Sequence, residues 1–181
     1  LIQFNSLTII LALGSMPLAF IYPYMKRYTY WPQLFLGITF NYGLILGWTS
    51  IDNNINIVAI IFYFGAIFWT LGFDTVYGFQ DLKDDEIIGL KSTSIKFKSK
   101  PKFFLNFCYT IFIINLFLVG YFMQFSKFYY LSLIVIGYQI FYFQIHRLVI
   151  ESPESCLKIF KSNNFLGAIV LISLIVGKTT T

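Results

Sequence analysis

Residues 57–86 read IVAIIFYFGAIFWTLGFDTVYGFQDLKDDE. The seventeen positions from Ile57 to Phe73 carry no charge, whereas the thirteen from Asp74 to Glu86 hold five of the chain's eight acidic residues. An uncharged run of that length falls in the range of about 17–25 residues that crosses roughly 30 Å of hydrocarbon as a helix. The stretch therefore reads as a membrane span that delivers an acidic segment to the membrane surface.

The rest of the chain repeats the pattern. With 57% hydrophobic and 12% charged residues and a mean hydropathy of +0.72, the 181 residues are unlike a soluble domain, which carries about twice that charge. Apolar runs fall at Leu1–Tyr22, Pro32–Ile51, Ile57–Phe73, Phe103–Met123 and Phe128–Ile145, with a shorter one at Phe165–Gly177 after a polar loop from His146 to Lys161. That last run is short for a crossing unless Asn163 and Asn164 lie within it. The predicted fold class is all-α: an integral membrane bundle of about six helices. A barrel is excluded because its strands would alternate polar and apolar residues.

Six crossings place Lys26 and Arg27, the six lysines from Lys83 to Lys102, and Arg147, Lys158 and Lys161 on one side, which is eleven of the thirteen basic residues. Cytoplasmic loops carry such an excess, so the acidic segment is expected on the cytoplasmic or matrix side of an inner membrane. The net charge of +5 then reflects orientation in a lipid bilayer, not nucleic-acid binding. Lys96 to Lys102 read as lipid-headgroup contacts. Cys108 and Cys156 lack a second Cys or a His at metal-ligand spacing, and the lone His146 reads as interfacial. No basic leader with a cleavage site precedes the first apolar run.

Asp74, Tyr77, Asp81 and Asp85 form D-x-x-Y-x-x-x-D-x-x-x-D. On a continuous helix the three carboxylates would lie within about 40° of one another. Like charges four apart destabilise a helix by a few tenths of a kcal/mol, so such a face asks for a cation. Mg²⁺ suits it, being held by one or two carboxylates and completed by substrate phosphates. A solvated acidic loop is the plainer alternative. Gly89 should stop the helix, and Ser92 and Thr93 should cap the next.

This segment resembles the second aspartate-rich motif of the UbiA family of intramembrane aromatic prenyltransferases, most closely its 4-hydroxybenzoate polyprenyltransferase branch. Gly89, Lys91, Ser92 and Thr93 match the family's I-G-x-K-S-T tail. Tyr22 to Arg27 match Y-P-x-x-K-R, and Trp31-Pro32-Gln33 and Phe160-Lys161-Ser162-Asn163 add further similarity. The resemblance implies a polyprenyl diphosphate donor, a 4-hydroxybenzoate acceptor, a Mg²⁺ cofactor and a role in ubiquinone synthesis. It implies Asp81 and Asp85 as metal ligands, with Asp74 as a third ligand or an orienting group. Lys91 would meet the leaving diphosphate, and Tyr77, Lys26 and Arg27 would bind substrate. Other acceptors of the superfamily, homogentisate, a naphthoate or haem, and a non-catalytic remnant or subunit are the alternatives. The D-G-x-x-A-R pattern of CDP-alcohol phosphotransferases is absent.

One departure stands out. The family's first motif, N-D-x-x-D-x-x-x-D, does not occur in residues 1–181, and the chain does not begin with Met. It is therefore expected to be the C-terminal part of a larger enzyme, one transmembrane domain with a motif segment at 74–102. It should be inactive or impaired alone and completed by the missing half as a separate chain.

Overall fold

The computed structural model describes residues 3–179, which form helices and connecting turns and no strand. In chain order these are α1 (Ser6–Ile21), a 3₁₀ turn at Tyr22–Tyr24, α2 (Met25–Tyr28), α3 (Pro32–Phe40), α4 (Tyr42–Asp52) and α5 (Ile57–Gly78). There follow α6 (Leu82–Ile88), α7 (Thr93–Lys96), α8 (Pro101–Phe122), α9 (Lys127–Tyr138) with a π-helical continuation at Gln139–His146, and α10 (Pro153–Thr179). Six rods among them are long and apolar enough to cross a membrane: Ser6–Tyr28, Pro32–Asp52, Ile57–Gly78, Pro101–Phe122, Lys127–His146 and Pro153–Thr179. The all-α reading with six spans holds.

Local chemistry sets the ends. The Asn5 and Asn56 side chains accept from the main-chain N–H groups of Thr8 and Val58, satisfying donors that the first turns of α1 and α5 leave free. Pro32, Pro101 and Pro153 stand at helix starts, where a missing N–H costs nothing.

The elements differ from the sequence reading in three places. The second span is two helices, broken at Asn41. Its amide donates to the Gly37 carbonyl at 2.8 Å, to the Ala66 carbonyl at 3.2 Å and to Thr70 Oγ1 at 2.7 Å, so the break is satisfied by α5. The sixth span begins at Pro153, not Phe165, and the expected polar loop shrinks to 147–152. Ser162 Oγ and Asn163 Nδ2 donate to the Ile159 carbonyl, which lets polar side chains ride inside the helix. Third, α5 ends at Gly78, so Asp74 and Asp85 belong to different helices.

α5 is the central element and packs against α8, α3, α10 and α4. Leu105, Tyr109, Phe112 and Leu116 of α8 are wholly buried with Val76 of α5, Ile136 and Ile140 of the fifth rod and Leu166 of α10. Trp69 stacks on Phe112 at 5.1 Å. α1 is tied to α4 by the Thr8–Thr49 hydroxyl pair at 3.0 Å, while Ile10 and Phe20 face outward, as lipid permits.

Candidate active site

α5 runs out of the bundle carrying Thr70, Phe73, Asp74 and Tyr77 up its last two turns. It stops where Gly78 meets the α7 segment: a Cβ on Gly78 would clash with Ser94 Oγ. The chain turns through residues 79–81 and restarts as α6, with Asp81 at its N-cap and Asp84 and Asp85 in its first turn, where carboxylates favour the helix dipole. The single carboxylate stripe expected from helical spacing is therefore not formed. The turn after Gly78 puts Asp74 on a different helix from Asp81 and Asp85.

Asp81 and Asp85 remain one turn apart, with the Asp85 N–H donating to the Asp81 carbonyl at 2.8 Å. Burial pushes the Asp85 carboxyl above its ordinary pKa; the Lys26 ammonium pulls it down, and Asp81 and Asp84 push it up again. Gly89, with φ of +79°, closes α6 in the left-handed conformation that glycine adopts without penalty. Asp84 and Glu86 lie on the outer surface, and Glu86 pairs with Lys98.

The K-S-T tail folds inward. Ser92, Thr93 and Ser94 are buried, although nothing apolar marks them in the sequence. Ser92 caps α7 through the Ile95 N–H, as the sequence reading anticipates. The Thr93 N–H donates to Gln33 Oε1 at 3.0 Å, Thr93 and Thr75 share a hydroxyl hydrogen bond at 2.6 Å, and Ser94 Oγ donates to the Thr75 carbonyl at 2.8 Å. The Lys91 N–H donates to the Lys26 carbonyl at 2.8 Å. Its ammonium reaches back to the Tyr28 carbonyl at 3.4 Å and lies 5.8 Å from the Tyr30 ring centre. Lys91 thus folds back onto α2, which holds Lys26 and Arg27, both exposed.

Below this polar lid lies a cavity of about 500 Å³ between α3, α5 and α10, lined by apolar groups including Leu36, Phe40 and Phe73, with Asp74 also on its wall. A smaller cavity of about 190 Å³ brings Asp74 and Lys26 together beside Gln33. Tyr77 is 42% exposed, with its ring 4.7 Å from that of Phe160. Asn163 accepts from Trp69 Nε1 at 2.9 Å. The Y-P-x-x-K-R, W-P-Q, K-S-T and F-K-S-N strings therefore all converge on the outer half of α5. Gln33 of W-P-Q meets Thr93 of K-S-T, and Thr75 and Trp69 of α5 join the strings, through hydrogen bonds that spacing alone does not reveal.

The UbiA prenyltransferase family model matches residues 1–169. The chain belongs to the UbiA prenyltransferase family. It is 40% identical over 178 residues to the mitochondrial 4-hydroxybenzoate polyprenyltransferase of Bos taurus, covering 98% of this chain and 48% of that protein. It is 37% identical over 179 residues to 4-hydroxybenzoate geranyltransferase 2 of Lithospermum erythrorhizon, covering 98% of this chain and 58% of that protein. The chain thus spans about half the length of the curated relatives it matches. A structure described as digeranylgeranylglyceryl phosphate synthase superposes with a TM-score of 0.76 at 19% identity, over 98% of this chain and 63% of that one, and supports the fold.

For a UbiA chain the question of a divalent ion turns on its donors. Among the described residues, no three His, Cys, Asp or Glu side chains gather closely enough to hold a metal between them. Asp81 and Asp85 supply two carboxylates on one turn of α6, the number Mg²⁺ takes from protein when phosphate and water complete its shell. The donors fit a substrate-completed ion better than a resident one.

Proposed function

We propose that this chain takes part in moving a polyprenyl group from its diphosphate to the ring of 4-hydroxybenzoate, the ring-alkylation step of ubiquinone synthesis. The observation that carries the reading is the convergence of acidic α6, basic Lys26, Arg27 and Lys91, and the Asp74-walled cavity at one end of the bundle. The names of the similar proteins support the donor and acceptor.

In this reading Asp81 and Asp85 would hold Mg²⁺, and Asp74 would orient Lys26 or add a ligand. The metal, when bound, would supply positive charge to the departing diphosphate. Lys26, Arg27 and Lys91 bring cationic donors to the same oxygens, Arg27 through its planar fork, and the exposed Tyr77 hydroxyl adds a hydrogen bond. The bond between prenyl C1 and diphosphate oxygen breaks, a bond from C1 to the ring carbon beside the hydroxyl forms, and that carbon loses its proton. Trp69, Phe73 and Phe160 face the cavity and offer π-electrons to the allylic cation, while the apolar walls keep water from it.

Residues 1–181 hold one acidic motif, and we expect little turnover from them alone, because one pair of carboxylates leaves much of the diphosphate charge unbalanced. The test is prenyl transfer from a polyprenyl diphosphate to 4-hydroxybenzoate with Mg²⁺, with and without a polypeptide supplying N-D-x-x-D-x-x-x-D. Activity on mixing that Asp81→Asn abolishes supports the reading. Robust turnover by the chain alone overturns the expected dependence, and preference for homogentisate or a naphthoate overturns the acceptor.

A further inference from the structure

A second cluster at the same end of the bundle lies outside this chemistry. The end of α9 and its π-helical continuation carry a column of rings: Tyr138 stacks on Tyr142 at 5.0 Å, and Tyr142 on His146 at 5.6 Å. Tyr138 is 63% and Tyr142 44% exposed, so the column lies along the lipid-facing side of a membrane-crossing rod. At its end the Arg147 guanidinium lies 5.2 Å from the Tyr142 ring centre and 5.3 Å from that of Phe143. Both rings lie within cation–π reach of the guanidinium. Beside it, a cleft of about 330 Å³ runs to the start of α10, where Lys158 provides a second cation and Ser152 and Ser155 provide hydroxyls. Glu154 also lines the cleft, which leaves two cations against one carboxylate. Among the described residues neither cation lies within ion-pair distance of a carboxylate. The Lys102 ammonium, donating to the His146 carbonyl at 3.2 Å, ties this corner to the end of the bundle that carries α6.

We propose that the cleft between Arg147 and α10 seats the phosphate of an anionic phospholipid, with Arg147 and Lys158 on the phosphate and the adjoining Tyr138–Tyr142–His146 column along its acyl chain. The charge imbalance matches one phosphodiester, which carries a single negative charge. A free phosphate would use the two cations but none of the exposed aromatic column, and basic pockets between spans on the inner face suit lipid headgroups. π-helical turns are rare and frequently fall at functional sites, in keeping with a built surface here.

The test reconstitutes the 181-residue chain in phosphatidylcholine nanodiscs containing a small fraction of phosphatidylglycerol and counts retained lipids by native mass spectrometry. The chain should retain phosphatidylglycerol selectively, and Arg147→Gln with Lys158→Gln should lower that retention about tenfold or more. Lys83→Gln with Lys127→Gln, which removes the same charge from other exposed positions, should leave it unchanged. Millimolar inorganic phosphate should not displace the lipid. Equal loss in both double variants would reduce the effect to general surface charge, and displacement by phosphate would make this a soluble-anion site. Either result overturns the proposal, as does undiminished retention in the Arg147/Lys158 variant. Lys158→Gln alone, an exposed change, serves if the double variant fails to reconstitute, and unaltered retention there also counts against the seat.

Discussion

At Asp85 burial and charge oppose one another. Partial burial raises its pKa, Lys26 lowers it, and Asp81 and Asp84 raise it again. A protonated carboxyl cannot hold a cation, so the acid limb of prenyl transfer should lie above that of an ordinary aspartate at low Mg²⁺. It should move to lower pH as Mg²⁺ rises, because the metal competes with the proton; a limb indifferent to Mg²⁺ would remove Asp85 from the metal. Replacing Asp85 with Asn should cut transfer about 100-fold with the fold intact by circular dichroism. The motif's residue types were legible because carboxylates are conspicuous in an apolar chain. Their partners were not: Lys26 stands 59 positions before Asp85, and only folding brings its charge to bear.

At the scale of the element, the connection between α5 and α7 decides the site's shape. Gln33 Oε1 takes the Thr93 N–H inside the protein, so Gln33→Leu strands a buried donor and should cost about 1–3 kcal/mol, read as a lower unfolding temperature in detergent. Asn163 joins α10 to Trp69 of α5, and Gln144 Nε2 also donates to it at 3.3 Å. Asn163→Leu should destabilise by about 1 kcal/mol, the size of an interhelical hydrogen bond in a membrane, and free Trp69 to change its fluorescence. Helix starts at Asn5, Asn56 and Ser92 follow from cap residues that act within three positions. The break at Asn41 and the early start of α10 do not, because each depends on where a polar side chain finds a main-chain oxygen to satisfy it. The carboxylate stripe failed for a related reason: helical spacing assumes an unbroken helix, and the contact between Gly78 and Ser94 ends it.

For the whole molecule, six crossings put residues 53–56 and residues 97–100 at opposite ends. A membrane-impermeant thiol reagent should label Ser99→Cys from one side and Asn54→Cys from the other, with Ser99 on the cytoplasmic or matrix face. The native Cys108 and Cys156 are buried and should stay unlabelled. Labelling of both positions from one side would break the six-span topology. The sequence by itself determined that this chain lives in a bilayer, where its first five crossings fall and which end carries the charge. Those properties follow from hydrocarbon thickness and main-chain hydrogen bonding, which act on each run of about twenty residues separately. Only the tertiary structure decided which polar groups meet. Gln33 with Thr93, Trp69 with Asn163 and Lys91 with Lys26 of α2 are brought together by helices packing side by side, and no local pattern records that packing.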